Sequence, residues 1–385
     1  MPGRESTQVL VDRVKTMYEL QSTGGYRLLE ITALTGEFPA SSLGRLMGKS
    51  RYKEKIITQL KAHKLLKTYY RDGLRSYRLT ADGRGLLLAE NPARFGPVFE
   101  VPPQTRSDLP HRLRLHQMCE VSLAMKLAGV AVFPDEKVPL FSHGLLSAGN
   151  PAPLPLPAYY SSREVKAIGI ESTKIKNARF CGVMLTEGMV YLCYNAGESI
   201  MRWEQKSEIK TRALISYLVC RELLPGRYSS NAVQGIMFGG TPDSALPLLQ
   251  NRTGKSERAF RLDQTFDHFH FVPQNSEGDM LMRLLYDEAL ADKLRSTLAS
   301  GLLPVDPGAP IENDGFEEDG TPVLFAFDGD LQRLSNFVQM LQLRKSQGAA
   351  FCFDFQANTL RGYGGDRLMI RTIDTMKFRR HFIPP

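Results

Sequence analysis

The chain has 385 residues, a net charge of +8, and a composition in which 42% of the residues are hydrophobic. This length allows two or three domains of ordinary size, and this apolar content excludes a disordered or fibrous protein. No stretch approaches the roughly 18 apolar residues that a membrane-spanning helix needs, and the N-terminus carries charges where a signal peptide has its apolar core. We therefore expect a cytoplasmic protein with no membrane partner.

The first part of the chain, residues 1–95, has the apolar spacing of helices. That spacing predicts helices over 9–20, 26–35, 39–47 and 50–65. Two runs rich in aromatic and β-branched residues then flank the turn-forming pair Asp72-Gly73, which predicts a β-hairpin over 67–80. A further helix is expected over 81–91.

The positive charge is concentrated in the same part of the chain. Residues 1–95 contain 17 basic and 9 acidic residues, whereas the remaining 290 residues contain 32 of each. Residues 49–78 hold ten of the basic residues, opposed only by Glu54 and Asp72. A localised basic segment indicates a polyanionic partner, with nucleic acid favoured over a membrane surface.

The third predicted helix, 50–65, separates into an apolar face and a basic face. The predicted buried stripe consists of Tyr52, Ile56, Ile57, Leu60 and His63. The opposite face consists of Arg51, Lys55, Thr58 and Ala62, with Lys61 at its edge. A basic face with small residues is what a helix needs to enter the major groove of DNA.

Double-stranded DNA is therefore the expected partner. Residues at the start of the helix are predicted to contact phosphates or base edges, and Arg71 and Arg75 are predicted to anchor the hairpin tip on phosphates or in the minor groove. The predicted DNA-binding residues are Lys49, Arg51, Lys53, Lys55, Thr58, Lys61, Arg71, Arg75 and Arg78.

A helix-turn-helix followed by a β-hairpin resembles the winged-helix superfamily of DNA-binding proteins. The resemblance lies in ITQLKAHKLLKTYYRDGLRSYRLTADGRGLLL (57–88). The segment QLKAHKLL is similar to the end of a recognition helix, and YRLTADGRGLL is similar to a second wing strand that leads into a closing helix. The resemblance covers about a quarter of the chain. It implies DNA binding but does not indicate which sequence is bound.

After residue 95 the pattern changes. A proline-rich linker is predicted over 96–110, and strands that alternate with helices predict an α/β domain over 111–385 around one mostly buried sheet. The strand predictions include a pair at 180–186 and 189–195. Residues 303–322 are acidic and rich in turn formers, which predicts a surface loop.

Two catalytic sites are alternatives to binding alone. Asp135, Glu204 and Lys206 are weak candidates for a nuclease that uses Mg²⁺, in which carboxylates hold the metal and a lysine orients the attacking water. Glu164-Val165-Lys166 has the same Glu-x-Lys spacing, but its context predicts a helix capping box.

The second alternative is a nickase of single strands. His268-Phe269-His270 lies in a predicted strand, so both imidazoles project from one face and could share a metal. Tyr286, on the following helix, could attack a phosphate. A half-buried strand with surface histidines explains the same residues without chemistry.

The cysteines predict no cofactor. Their number is odd and their positions are scattered, with no Cys-x-x-Cys pair. They are Cys119, Cys181, Cys193, Cys220 and Cys352. We expect five reduced thiols and neither a disulfide framework nor a zinc site.

A second resemblance covers more of the chain. A winged helix, a proline-rich linker, a helix that begins HRLRLHQMCEV and an α/β half resembling a nuclease are together similar to the replication-relaxation proteins of plasmids and conjugative elements of Gram-positive bacteria. The same similarity extends over YYSSREVKAIGI, RFCGVMLTEGMVYLCYN and MRWEQKSEIKT. It implies an accessory role in conjugation or replication, beside a relaxase or a replication initiator. The nuclease-like half departs from that pattern, because it lacks the pair of acidic residues that a nuclease uses to hold its metal.

Together these patterns predict an α+β protein. Its N-terminal winged helix-turn-helix precedes an α/β domain that resembles the restriction-endonuclease-like fold. We expect a sequence- or structure-specific duplex DNA-binding protein that is an accessory factor in mobile-element DNA processing. Its expected mechanism is binding and not turnover, and homodimerisation is left open. A metal-dependent nuclease or nickase, and a ligand-responsive transcription regulator, remain alternatives.

Overall fold

The computed structural model shows a mixture of helices and strands that divides into two compact units. The residues that it describes are 24–46, 50–100, 108–142, 154–168, 179–197, 204–250, 260, 262, 265–305 and 312–383. The N-terminal unit takes in Met1–Leu123 and Val132–Val138, and the C-terminal unit takes in Ala124–Ala131 and Pro139–Pro385. The expected α+β class is confirmed at this level.

The N-terminal unit consists of six helices and three strands within the described residues. In chain order they are α1 Gly25–Thr35, β1 Phe38–Pro39, α2 Leu43–Leu46, α3 Ser50–Ala62, β2 Leu66–Arg71, β3 Leu74–Leu79, α4 Ala81–Glu90, α5 Pro92–Glu100 and α6 Leu109–Leu127, whose last residues belong to the C-terminal unit. The predicted helix over 9–20 lies outside the described residues. The other helices and the hairpin predicted for residues 24–91 are present, within a few residues of the expected bounds.

One face of α3 packs against the core of this unit. Ile56, Ile57 and Leu60 are buried, as their helical spacing predicts. The prediction is wrong for the ends of the stripe, because Tyr52 and His63 are exposed. The apolar stripe is therefore shorter than its sequence pattern suggests, and more of the helix surface faces solvent.

The hairpin forms around the predicted turn. Asp72 and Gly73 have φ angles of 52° and 77°, so both adopt the left-handed conformation that a tight hairpin turn requires. Tyr70 pairs with Arg75 and Arg71 pairs with Leu74 across the strands. β1 adds to the other edge of β3, which gives a three-stranded sheet of order β1-β3-β2.

The proline-rich stretch begins in a helix. Residues 96–100 complete α5, whose Phe95 is fully buried, and residues 101–107 lie outside the described residues. The division between units falls inside α6, after Leu123. Most of α6 therefore belongs to the N-terminal unit, although its sequence position predicts that it starts the second domain.

One glycine of α4 allows the hairpin strands to lie close to that helix. A Cβ at Gly83 would lie 2.2 Å from the backbone oxygen of Leu65, whereas a Cβ at Gly85 would meet nothing within 4 Å. We expect Gly83→Ala to destabilise the N-terminal unit by about 1–3 kcal/mol through this overlap. Gly85→Ala, in the same helix, should stabilise it by about 0.5–1 kcal/mol. Hydrogen exchange of the hairpin amides measures both, and equal effects would contradict the close contact.

The C-terminal unit contains two sheets, so the prediction of a single sheet is wrong. Its elements are β4 Ala158–Ser161, α7 Ser162–Ala167, β5 Gly182–Leu185, β6 Val190–Gly197, α8 Gln205–Tyr217, which continues as a π-helix over Leu218–Leu223, β7 Val233–Gly239, α9 Leu246–Leu249, β8 Phe269–Pro273, α10 Ser276–Tyr286, α11 Glu288–Ala299, β9 Gly315–Phe316, β10 Pro322–Phe325, α12 Leu331–Arg344, β11 Gly348–Phe353, α13 Ala357–Gly364, β12 Leu368–Ile373 and α14 Thr375–Phe382.

The larger sheet has the order β4-β5-β6-β7-β8. β4, β5 and β6 pair antiparallel with one another in turn, and β7 and β8 continue the sheet in parallel with β6. The predicted pair of strands around Glu187-Gly188 is confirmed as β5 and β6. All residues of β6 except Gly197 are buried, as expected of a strand covered on both faces.

The smaller sheet has the order β12-β11-β10-β9. β10, β11 and β12 are parallel, and β9 pairs antiparallel with β10. β9 lies within the predicted acidic loop 303–322, of which residues 306–311 lie outside the described residues. The part that is described is therefore more regular than a plain surface loop.

Two further sequence features are confirmed. Ser161 caps α7 in a capping box with Glu164, so the Glu164-Val165-Lys166 triplet is structural. All five cysteines are buried free thiols. Within the described residues, no helix combines the length and the apolar character needed to cross a membrane.

Candidate functional site

The outer face of α3 is an exposed cationic surface. Lys55, Thr58 and Lys61 are exposed, and Lys53 is half-buried. None of the three lysines has a carboxylate partner among the residues that the structure describes. Lys49 and the side chain of Arg51 lie outside the described residues.

The hairpin tip carries two more exposed cations. Arg71 and Arg75 are both exposed. Arg71 forms an exposed ion pair with Asp72, at 3.4 Å from Nε to Oδ2, and such exposed pairs hold a side chain only weakly. Tyr70, directly opposite Arg75, is 70% exposed. Sequence reasoning missed Tyr70, although an aromatic residue next to a hairpin turn is a detectable signal.

Arg78 has a different environment from the other predicted DNA-binding residues. Its Nε lies 2.9 Å from Glu37 Oε2, and its guanidinium stacks 3.7 Å from the centre of the Tyr69 ring. A side chain held by a buried carboxylate and an aromatic face is not free to bind phosphate. Arg78 is half-buried and engaged by these partners, so we leave it out of the candidate surface.

Glu37 lies at the centre of a buried hydrogen-bond network. Only 1% of its side chain is accessible to solvent. Arg112 donates two bonds to Oε1, from Nε at 2.9 Å and from the terminal nitrogen at 2.7 Å. The Ser76 hydroxyl donates to the same oxygen at 2.6 Å, and His116 Nε2 lies 2.9 Å from it.

The protonation of Glu37 follows from these partners. Burial alone favours the neutral acid, but hydrogen bonds from His116, Arg112, Ser76 and Arg78 favour the carboxylate. The balance holds the pKa of Glu37 well below its usual range. Glu37 is therefore an anion inside a basic unit.

Arg112 connects this network to the hairpin turn. It is fully buried, although it belongs to the helix α6, which is remote in sequence. It donates to the backbone oxygen of Arg71 at 2.7 Å and to that of Leu74 at 3.2 Å. These two residues flank the turn, so Arg112 fixes the position of the tip that carries Arg71 and Arg75.

A second polar cluster lies in the C-terminal unit, beside β8. His268 Nδ1 donates to Asp330 Oδ2 at 2.6 Å. Asp330 is buried and caps α12 by accepting from the backbone nitrogens of Gln332 and Arg333. It also accepts from the nitrogen of Phe269 at 3.2 Å. The cluster therefore joins β8 to the start of α12.

The pKa values of this pair move apart. The hydrogen bond to Asp330 raises the pKa of His268 above its ordinary value. Burial acts to raise the pKa of Asp330, but the bond from His268 and the nearby His270 outweigh it and lower that pKa. A charged pair is therefore favoured at mildly acidic pH.

The other nickase candidates have structural partners. His270 is buried, with Nε2 3.1 Å from Gln234 Oε1 and Nδ1 3.3 Å from the backbone oxygen of Asp328. The Tyr286 hydroxyl donates to the backbone oxygen of Ala128 at 2.6 Å. The two histidines thus have separate partners rather than a shared ligand, and the tyrosine hydroxyl is engaged.

The nuclease candidates belong to different units. Asp135 lies in the N-terminal unit, where both carboxylate oxygens accept from Arg94 Nε at 2.9 and 3.0 Å. Glu204 and Lys206 are exposed at the start of α8 in the C-terminal unit. Asp135 is therefore a partner of Arg94, which explains it without a metal.

The cationic face of α3, together with the hairpin tip, is the surface whose chemistry is best defined. Within the described part of the chain, no three His, Cys, Asp or Glu side chains are grouped so that they could hold a metal ion. No protein-family model, curated protein or solved structure matches the chain. The candidate site is therefore defined by the residues of this chain alone.

Proposed function

We propose that the protein binds duplex DNA through a winged helix in its N-terminal unit. The observation that carries the proposal is the outer face of α3, where exposed lysines have no carboxylate partner within the described residues. The order of elements supports it, since the helices α1, α2 and α3, with the short strand β1 between the first two, are followed by a hairpin. Eight of the ten basic residues of 49–78 fall on α3 and that hairpin.

In this proposal α3 enters the major groove and the hairpin contacts the DNA backbone. Lys55 and Lys61 neutralise phosphates on either side of the helix, while Arg71 and Arg75 do so from the hairpin tip. Each neutralised phosphate releases counterions, so affinity falls steeply as salt rises. The network of Glu37 and Arg112 serves by holding the tip in place.

We extend the proposal to the C-terminal unit as a nuclease-like domain that does not act as a nuclease. Its mixed sheet supports this, because the hairpin β5–β6 is followed by the helix α8 and the parallel strand β7. Its role would then be that of an accessory factor in mobile-element DNA processing, with a relaxase or replication initiator as partner. Binding is favoured over turnover because Asp135, His270 and Tyr286 all have structural partners.

The test is a salt titration of binding to a labelled mixed-sequence duplex. We expect the wild type to show a steep linear fall of log affinity with log salt. Lys55→Ala/Lys61→Ala should flatten that slope by about two units, one for each phosphate that is no longer neutralised. Fluorescence anisotropy at several salt concentrations gives the slope directly.

The matched control removes two exposed lysines from the C-terminal unit. Lys210→Ala/Lys377→Ala changes the net charge by the same amount, and both residues are exposed on helices, as in the test variant. We expect it to leave the slope almost unchanged. An equal loss in both double variants would mean that binding follows net charge alone, and the assignment of α3 would be wrong.

A further inference from the structure

The exposed part of α3 carries a glutamine, Gln59, whose side chain can both donate to and accept from a base edge. Away from the buried Ile56 and Leu60, the exposed residues include Lys55 and Thr58 on the opposite face and Gln59 on the flank next to Lys55. Gln59 lies one helical turn after Lys55, so both project from the same side. Gln59 is absent from the predicted DNA-binding residues, which in this part of the helix are Lys55, Thr58 and Lys61.

The neighbouring side chains permit close approach. Thr58 and Ala62 are small, exposed and one turn apart, so they form a low ridge beside Gln59. Because these side chains are small, the helix backbone can come close to the base edges in the major groove. The reach of a glutamine is then sufficient for contact with a base edge.

The chemistry of Gln59 differs from that of the neighbouring lysines. A glutamine amide presents both an acceptor oxygen and two donor hydrogens, whereas a lysine presents donors only. In the major groove, adenine offers the matching pair of an N7 acceptor and an N6 donor. The amide of Gln59 has no hydrogen-bond partner among the residues that the structure describes, so it is available for such a pair.

We propose that Gln59 is the specificity-determining residue of α3 and reads one adenine in the major groove of the bound duplex. This inference rests on the proposed function and adds the base that is recognised. Lys55 and Lys61 supply affinity that is independent of sequence, and Gln59 supplies the preference for an A·T pair at one fixed position. The salt dependence of binding belongs to the cationic side chains alone, because Gln59 is neutral.

The experiment begins with selection from a randomised duplex library by the wild type, by Gln59→Ala and by Gln342→Ala. Gln342 is an exposed glutamine of α12 and serves as the control. We expect the wild type and the control to enrich the same sites, with an A·T pair fixed at one position. Gln59→Ala should lose the preference at that position alone and keep the salt slope of the wild type.

A second measurement tests the contact without relying on the variant alone. Replacing the selected adenine by 7-deazaadenine removes the N7 acceptor and should weaken binding of the wild type about ten- to hundredfold. The same replacement should have no effect on Gln59→Ala, since the partner is already missing.

The outcomes separate the two proposals. If the wild type binds duplex with a steep salt slope, but Gln59→Ala retains every base preference or 7-deazaadenine has no effect, the role of Gln59 is overturned and duplex binding stands. Binding with no base preference at any position has the same meaning. If no variant binds duplex, both proposals are overturned.

Discussion

Replacement of Glu37 by alanine is expected to destabilise the N-terminal unit by about 3–5 kcal/mol. Arg112 is fully buried, and Glu37 is its only carboxylate partner within the described residues. Removal of one member of a buried ion pair leaves the other charge in the interior without compensation. The Ser76 hydroxyl and His116 lose the same acceptor, so the penalty extends beyond one pair of residues.

Native-state hydrogen exchange measures this effect unit by unit. A single unfolding midpoint would mix the two units, whereas the amides of β2 and β3 report on the N-terminal unit alone. The control is Asp292→Ala, which breaks the exposed pair of Asp292 with Arg295 and should change stability by less than about 1 kcal/mol. Unchanged protection of the hairpin in Glu37→Ala would contradict the central place of this network.

The pH dependence has a definite sign. The pKa of Glu37 is lower in the folded unit than in the unfolded chain, so its contribution is fully present above about 4.3, the unfolded value. That contribution disappears as pH falls further through the folded pKa. The stability difference between wild type and Glu37→Gln should therefore be constant near neutrality and shrink in acid.

Glu37→Ala should also affect the hairpin tip. Arg112 donates to the backbone oxygens of Arg71 and Leu74, and Glu37 orients its guanidinium. Without that carboxylate the tip loses its fixed position, although Arg71 and Arg75 remain in the sequence. Exchange protection of the turn and duplex affinity are expected to fall together.

Local signals explain which parts of the fold could be predicted from sequence. Asp72-Gly73 contains its own turn chemistry, and the spacing of Ile56, Ile57 and Leu60 marks the buried side of a helix. These features depend on residues within a few positions of one another. They place α3 and the hairpin, and with them most of the candidate surface.

Non-local pairing explains what could not be predicted. β10 pairs in parallel with β11, and the local sequence of neither strand predicts that the two form a second sheet. Glu37 and Arg112 are 75 positions apart, so their pairing has no local pattern. The charge of Arg78 matches that of its neighbours and predicts a surface position, yet its guanidinium binds the buried Glu37.

The largest effect expected in the C-terminal unit is that of Asp330→Ala, at about 2–4 kcal/mol. The buried carboxylate caps α12, and it also accepts from the nitrogen of Phe269 and from His268. Alanine leaves all of these donors without their acceptor. Asp374 caps α14 in the same way but is exposed, so Asp374→Ala should cost only about 1 kcal/mol.

Asp330→Asn separates the charge from the cap, because its side-chain oxygen can still accept from the backbone. The raised pKa of His268 means that its contribution is complete below about 6.5, the unfolded value, and is lost as pH rises through the folded pKa. The lowered pKa of Asp330 removes the contribution again in acid, below about 3.9. The stability difference between wild type and Asp330→Asn is therefore expected to be largest at mildly acidic pH. Histidine-selective NMR titration should show a lower pKa for His268 in Asp330→Asn, and an unchanged value would mean that the 2.6 Å contact is not a charged pair.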